Sequence, residues 1–503
     1  MLLFDAISDI ILNSVFLYKF TSNVSKKKAK SIMRRTKIVC TLGPASCTES
    51  VIEDMLKNGM NVARLNFSHG THEYHKEMID TFRKVRDRLK LPAAVLLDTK
   101  GPEIRTRLIE NDKIDLEKGD SLILTTDDES VKGNRVSITY ADLPSQLKGG
   151  EKIVIDDGKI ELRVVSVTET DIVTSVIVGD TLFQKKSINV PNVSLNMPYI
   201  SEKDEKDILF GIENDVDFIA ASFVRRKEDV IELRKLLNYH GGHSIRIISK
   251  IENIEGVENF DEILKHSDGV MIARGDMGVE VEFERLPGIQ KQFIRKCYCS
   301  GKMVITATQM LESMVHASMP TRAEITDVAN AVFDGTSAVM LSGETAMGDN
   351  PALVVKTMAK IVRQAERDAF DMDVYSGINH LNSNDTTNAI CDAACTTARD
   401  TNAKAIIAVT KSGTSARRVS KFRPKQPIVA STPDMKTFHQ LSLSWGVSPV
   451  IALNQDNEES LFLHAIDCAK KIDIVSDGDT VVITAGLPLN QPGTTNLLKV
   501  ATV

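Results

Sequence analysis

The chain has 503 residues, enough for several domains each with its own core, which excludes a peptide-sized binder. Hydrophobic residues at 42% and charged residues at 26% are the balance of a soluble globular protein, and one Trp with 5% aromatics argues against a base-stacking nucleic-acid partner. At a net charge of -6, any mouth that binds anions must be locally positive against the background, and seven scattered Cys point to a reducing compartment without a disulfide framework.

In chain order, residues 1-32 read as a poorly ordered N-terminal extension. Their longest uncharged run, Ile10 to Tyr18, is far short of the roughly 20 residues of a membrane span. Asp5 and Asp9 stand where a secretory signal needs positive charge, and no Arg precedes Arg34 as a transit peptide would require. No membrane is expected as a partner. The Lys26 to Lys30 cluster reads as a solvated linker, and the first domain begins at Met33.

From there apolar runs alternate with helix-length segments. The predicted strands are Lys37 to Leu42, Asn61 to Leu65, Ala93 to Leu97, Phe218 to Ala221, Arg246 to Ile251, Gly269 to Ala273, Met303 to Thr308 and Ala338 to Leu341. Helical patterns such as Glu73 to Arg88, Glu202 to Ile212, Glu255 to Lys265 and Ala352 to Arg367 flank them. Eight such units predict a (β/α)8 TIM barrel over residues 33-102 and 199-370. The alternation breaks after Asp98. Residues 103-198 hold Val, Ile and Thr runs separated by turn signals such as Gly149-Gly150 and Asp157-Gly158, an inserted all-β lid domain over the barrel mouth. Residues 371-503 open on a loose stretch, Ser376 to Asp385, then alternate again as a C-terminal open α/β domain. Its first βα turn, Thr410-Lys411-Ser412-Gly413-Thr414-Ser415, is rich in hydroxyls and feeds a helix N-terminus, a favourable place for phosphate.

In such a barrel the carboxyl ends of the strands converge on one mouth. Arg64, Asn66 and Ser68 stand at the second end; Asp98, Thr99, Lys100, Glu103 and Arg105 follow the third. Lys250 and Glu252 mark the fifth, Arg274 and Asp276 the sixth, Thr308 and Gln309 the seventh, Ser342 and Glu344 the eighth. Taken singly, each is more often a solvated loop residue. Together, two carboxylates beside a Lys with Arg nearby form a site where a divalent cation holds a phosphorylated or enolic anion. That chemistry fits phosphoryl transfer, and it fits equally a Mg2+-dependent barrel lyase or aldolase using a pyruvate enolate. His69 is a lone loop His and reads as structural. There is no Walker A motif and no GxGxxG.

The stretches ARLNFSHG (Ala63 to Gly70), LLDTKGPEIR (Leu96 to Arg105), SKIEN (Ser249 to Asn253), MIARGDMGVE (Met271 to Glu280), TATQMLESM (Thr306 to Met314), PTRAEITDVANAVFDGTSAVMLSGETA (Pro320 to Ala346) and GTTNLLKV (Gly493 to Val500) closely resemble the pyruvate kinase family. The similarity runs from Met33 to Val503 and stops short of the phosphotransfer-like domain that some bacterial relatives append. It implies a catalytic barrel (A), a lid (B) and a regulatory α/β domain (C). The implied reaction is phosphoryl transfer from phosphoenolpyruvate to ADP in glycolysis, in a cytoplasmic homotetramer that depends on Mg2+ and K+.

By the same resemblance, Glu252 and Asp276 are Mg2+ ligands and Lys250 stabilises the phosphoryl group in flight. Arg64 contacts phosphate, and Asn66, Ser68, Asp98 and Thr99 are K+ ligands. Glu103 stands where potassium-independent relatives tend to carry Lys, which implies potassium dependence. Arg105, Asn66 and Lys186 serve the nucleotide, with Asp157 beside them in the lid, and Ser187 replaces an expected Gly. Ala273, Arg274, Gly275 and Asp276 line the substrate carboxylate pocket, and Thr308 lies near the carbon that is protonated. Thr410, Lys411, Ser412, Gly413, Thr414 and Ser415, together with Pro492 to Asn496, resemble the loops that hold a sugar-phosphate activator; Arg417 and Arg418 add charge there. A catalytically silent regulatory member is the remaining alternative.

Overall fold

Eight short runs dominated by Val, Ile, Leu and Ala become strands buried on both faces, as parallel strands must be. They are β1 (Lys37–Thr41), β2 (Val62–Asn66), β3 (Ala94–Asp98), β4 (Phe218–Ala221), β5 (Arg246–Ile251), β6 (Gly269–Ala273), β7 (Met303–Ala307) and β8 (Ala338–Leu341). The structure, a computed structural model, describes residues 33–127, 133–375, 385–488 and 495–503. The expected extension 1-32, most of the loose stretch after Tyr375 and residues 492–494 of the second activator loop lie outside the described residues.

The strands pair in the order β1-β8-β7-β6-β5-β4-β3-β2 and close back on β1, every pairing parallel. Helices return the chain between them: α1 (Glu49–Asn58), α2 (His72–Leu89), α3 (Glu202–Glu213), α4 (Lys227–Tyr239), α5 (Ile254–Glu258), α6 (Phe260–His266), α7 (Arg274–Glu280), α8 (Leu286–Cys299), α9 (Arg322–Phe333), α10 (Gly343–Ala346) and α11 (Pro351–Asp371). Hydroxyl caps start several of them. Thr71 accepts from Tyr74 N and Ser201 from Asp204 N, while Thr321 and Glu324 form a reciprocal capping box.

Period-two alternation decides what enters the barrel. On β5, Ile247 and Ile251 join the core under the helices, whereas Ile248 joins the interior core. On β3, Val95 and Leu97 face outward and Ala94 and Leu96 inward; on β2, Ala63 and Leu65 face outward and Val62 inward. Continuing each inward row by two residues reaches Lys250, Asp98 and Arg64. Those three are therefore the top interior layer of the barrel and belong to strands, not to the loops beyond them. The opposite end is closed by residues His439–Gly446, which cluster with the barrel unit, not with the rest of residues 371–503. Leu443 joins the interior core, and Gln440 donates to the carbonyls of Asp217 and Ser244.

Between β3 and β4 the chain leaves the barrel to build a seven-stranded sheet and a two-stranded one, whose longest strands are Ile160–Val167 and Asp171–Val178. Leu122, Leu124, Leu162, Ile172 and Val176 fill its core. Sequence analysis missed the short strands Ile104–Arg105, Lys113–Asp115, Arg135–Ser137, Thr181–Phe183 and Ser187–Asn189, which are too brief for alternation to register. Two other boundaries differ. The segment expected as one helix over Glu255 to Lys265 is two helices meeting at Asn259, and the expected charged loop after β6 is helix α7, starting at Arg274 itself.

The second unit, described by itself, is an open sheet of β9 (Ala405–Val409), β10 (Ile428–Thr432), β11 (Val447–Ile451), β12 (Thr480–Gly486) and β13 (Thr495–Thr502), ordered β11-β10-β9-β12-β13. Four strands are parallel and β13 returns antiparallel along β12, an edge strand that sequence analysis did not foresee. Helices α12 (Thr386–Asp400), α13 (Thr414–Lys421), α14 (Met435–Gln440) and α15 (Glu458–Lys471) complete the unit, apart from the end of α14, which falls in the barrel cluster.

Candidate active site

The top layer of the barrel is a buried chain of opposite charges. Arg64 Nε donates to Asp98 Oδ2 at 2.6 Å and its Nη1 to Thr41 Oγ1 at 2.8 Å. Lys250 Nζ lies 3.0 Å from Asp98 Oδ1, 2.9 Å from Glu252 Oε1 and 2.7 Å from Ser222 Oγ. Glu252 also accepts from Phe223 N at 2.6 Å, and Asp276, at the start of α7, sets a second carboxyl beside it.

Burial acts most strongly on Asp98, Lys250, Glu252 and Asp276; the neighbours outweigh it at the first two and not at the last two. Burial pushes Asp98 up, but Arg64 and Lys250 outweigh it and hold its carboxyl below the usual range, so Asp98 is an anion. Burial pushes Lys250 down, yet Asp98 and Glu252 hold it above the usual lysine range, a permanent cation. Glu252 differs: burial raises it to about 7, because Lys250 offsets only part of the cost and Asp276 adds repulsion. Asp276 is raised by burial too, with Asp157 of the lid adding to the effect. Two carboxyls side by side, each resisting ionisation, are what a site built for a cation looks like when only protein charges are counted. Among the described residues no group of three or more His, Cys, Asp or Glu is placed to hold a metal ion. A pair of carboxylates suits Mg2+, which keeps water or substrate oxygens at its other positions.

At the end of β7 the backbone turns sharply: Thr308 and Gln309 have φ of 68° and 52°, a costly conformation for a β-branched residue. This is why the strand stops at Ala307 and not at Thr308 as expected. Arg274 holds the turn, donating from Nη2 to Thr308 O at 2.6 Å and from Nε to Ala307 O at 3.1 Å while pairing with Asp327. The Arg274 side chain thus braces the turn and does not open into a substrate pocket. Gly275 N donates to Thr308 Oγ1 at 2.9 Å, so the hydroxyl sits directly over the first turn of α7. Glu344 accepts from the backbone N–H of Leu311 and Ser342, supporting the same rim.

Asn66 pairs with Asp98 in the register of β2 and β3, which brings Asn66, Ser68, Asp98 and Thr99 to two adjacent strand ends. Their donors are all hard oxygens, but Asn66 Oδ1 accepts from Ser68 N and both Asp98 oxygens are engaged as described. Arg105 is clamped by Glu103 through two bonds of 2.6 and 2.8 Å. In the lid, Lys186 pairs with Asp156 at 2.9 Å and not with Asp157. Ser187, in place of the expected Gly, gives Asp157 a hydroxyl partner at 3.2 Å. His69 is exposed and uses its carbonyl, which accepts from His75 Nε2. In the second unit, Thr410 Oγ1 caps Gly413 N, and Ser415 Oγ lies 2.6 Å from Thr495 Oγ1, joining the turn after β9 to the start of β13. Arg417 and Arg418 are half-buried, donating to Ser412 O and Asn388 Oδ1, so neither simply faces solvent.

Sequence analysis missed Thr41 and Ser222. Both are polar residues at strand ends, the signal used elsewhere, but the first and fourth ends were passed over.

Residues 33–355 match the family model described as pyruvate kinase, barrel domain, and residues 388–501 match pyruvate kinase, alpha/beta domain. The chain belongs to the pyruvate kinase family. It is 48% identical over 469 residues to a pyruvate kinase of Staphylococcus haemolyticus, covering 93% of this chain and 80% of the relative. A Clostridium acetobutylicum pyruvate kinase is 46% identical over 473 residues, covering 94% of this chain and all of the relative. A Staphylococcus aureus relative is 47% identical over 470 residues, with 93% and 80% covered. The family member is accordingly a phosphotransferase, and the lyase or aldolase alternative finds no support in these matches. No helix among the described residues is long and apolar enough to cross a membrane.

Proposed function

We propose that the chain transfers the phosphoryl group of phosphoenolpyruvate to ADP, giving pyruvate and ATP in glycolysis, as a cytoplasmic enzyme dependent on Mg2+ and K+. The observation that carries this reading is the buried Lys250 ammonium, 2.9 Å from Glu252 and 3.0 Å from Asp98. Phosphoryl transfer needs positive charge fixed where charge develops and little covalent chemistry from the protein. Lys250 is held rigidly as a cation and meets the transferring oxygens, while Arg64, pinned by Asp98 and Thr41, orients the phosphate.

Glu252 and Asp276 would hold Mg2+, and when bound it neutralises charge on the phosphoryl oxygens and orients them. Asn66, Ser68, Asp98 and Thr99 would hold K+, since an all-oxygen set with one ionised carboxylate fits a hard monovalent cation. The backbone of Ala273, Arg274, Gly275 and Asp276 lines the pocket for the substrate carboxylate. Thr308, its hydroxyl held by Gly275 N, serves the end of the pocket where the enolate carbon is protonated, by water or by a relay through Thr308 itself. Arg105, Asn66 and Lys186, with Asp157 of the lid, serve the nucleotide.

The division into a catalytic barrel (33-102 and 199-370), a lid (103-198) and a regulatory part (371-503) belongs to the same proposal. So do a homotetramer and a sugar-phosphate activator at residues Thr410 to Ser415 with Thr495, where hydroxyls and a helix start suit a phosphate.

Lys250→Met is the test. ATP formation from phosphoenolpyruvate and ADP should fall by about 10²–10³ or more, the range for removing one preorganised charge-stabilising donor. Unchanged activity would remove Lys250 from the mechanism, and a wild-type chain inactive with both cations present would favour the silent-member alternative.

A further inference from the structure

Two side chains outside the catalytic set reach one short loop, residues 67–70, which follows β2, and a third holds one of them in place. Lys203 Nζ, from α3, donates to Phe67 O at 2.7 Å. His75 Nε2, from α2, meets His69 O at 2.8 Å, and its ring stacks on Phe67 with centroids 4.0 Å apart. Asp207, 2% exposed, sits behind them and takes Lys203 at 2.6 Å and His72 at 2.7 Å. The loop ends at Gly70, with φ of 80°, where a Cβ would approach Tyr74 Cδ1 and His75 Nε2 to 3.0 and 3.1 Å. The carbonyls of Phe67 and His69 are therefore tied to two different helices, and Gly70 packs too closely against α2 for a side chain.

We infer that Lys203, His75 and Asp207 are positioning residues that set the affinity of the monovalent-cation site by fixing the loop that carries Asn66 and Ser68. The inference rests on the reading of those residues, with Asp98 and Thr99, as K+ ligands. A monovalent cation gains little from each neutral oxygen, so its binding depends on how much loop freedom must be lost when the oxygens converge. Lys203 and His75 remove that freedom in advance by holding the carbonyls on either side of Ser68. The aromatic stack holds Phe67 in the core under the helices. Partners that orient a metal ligand commonly change metal affinity by about 10- to 100-fold when removed. The Lys203 side chain is 49% exposed, so its aliphatic stem is no part of a core and its loss leaves no buried void.

The experiment compares wild type with Lys203→Met, Lys203→Arg and Lys206→Met, the last a surface Lys on the same helix. Two readouts are followed against K+: the rise in Tm of the substrate-free protein, and the rate of ATP formation with kcat taken at saturating K+. Lys203→Met should raise the half-saturating K+ about tenfold in both readouts while kcat stays within about twofold. Lys203→Arg should recover most of the affinity, and Lys206→Met should match wild type. A folded Lys203→Met with wild-type half-saturation overturns the positioning role. If Lys203→Met fails to fold, His75→Gln is measured in its place, and wild-type half-saturation there has the same meaning. A wild type that responds to K+ in neither readout instead overturns the K+ assignment of Asn66 and Ser68, and the inference with it.

Discussion

If Glu252 holds Mg2+ as proposed, burial of its carboxyl should make that binding sensitive to pH near neutrality. Glu252 is 1% exposed, and burial lifts its carboxyl to about 7 against the partial relief from Lys250. A carboxylate must be ionised to hold a divalent cation, so proton and Mg2+ compete for it. With half of the carboxyls ionised at pH 7, about one in ten is ionised at pH 6 and about nine in ten at pH 8. The Mg2+ concentration for half-saturation should then fall about tenfold from pH 6 to pH 8, about 1.4 kcal/mol of binding free energy. Asp276, raised by its own burial, works in the same direction. The assay is the Mg2+-dependent rise in Tm, or calorimetry, on substrate-free protein, because the phosphates of ADP and phosphoenolpyruvate titrate on their own account. Glu252→Gln should bind Mg2+ weakly and lose most of the pH dependence. Metal-free stability runs the other way: the folded value lies above the ordinary 4.5, so this group's contribution is complete below pH 4.5 and lost as pH rises through about 7. Equal Mg2+ half-saturation at pH 6 and pH 8 would refute the reasoning, since Glu252 would then be ionised throughout or no ligand at all.

Two further substitutions probe the approach to the lid. Glu103→Lys removes both bonds to Arg105 and the 3.2 Å partner of Lys100, and supplies a cation in place of an anion. It should reduce the dependence of the rate on added K+, and an unaltered K+ requirement would discard the use made of this position. Gly101→Ala puts a Cβ 2.8 Å from Ser222 Cβ and 3.0 Å from Ser222 O at a φ of 74°. Strain of about 1–3 kcal/mol should lower Tm and, by displacing Ser222 from Lys250, slow the transfer; unchanged Tm and rate would mean that the backbone at Gly101 relaxes freely.

Periodicity and spacing by themselves determined the architecture of this chain: eight apolar runs separated by helix-length segments, one break filled by β-rich sequence, and a second alternating block. Apolar burial governs those features, and burial leaves a local trace in every strand and helix. The candidate residues Lys250, Asp98 and Arg64 were legible for a related reason, since alternation along a strand puts each second residue on the same face, whereas Glu252 and Asp276 were legible only as charges just past a strand end. Their partners were not legible. That Arg274 braces the turn at Thr308, that Lys186 turns to Asp156 and that Ser222 bridges Lys250 and Asp98 are matters of reach between segments distant in sequence. The short lid strands and β13 escaped for the same reason: pairing with a neighbour, and not the pattern of the segment itself, makes them strands. The charge state of Glu252 is likewise a property of the tertiary structure alone, because it depends on how far burial outweighs one ammonium and one neighbouring carboxyl.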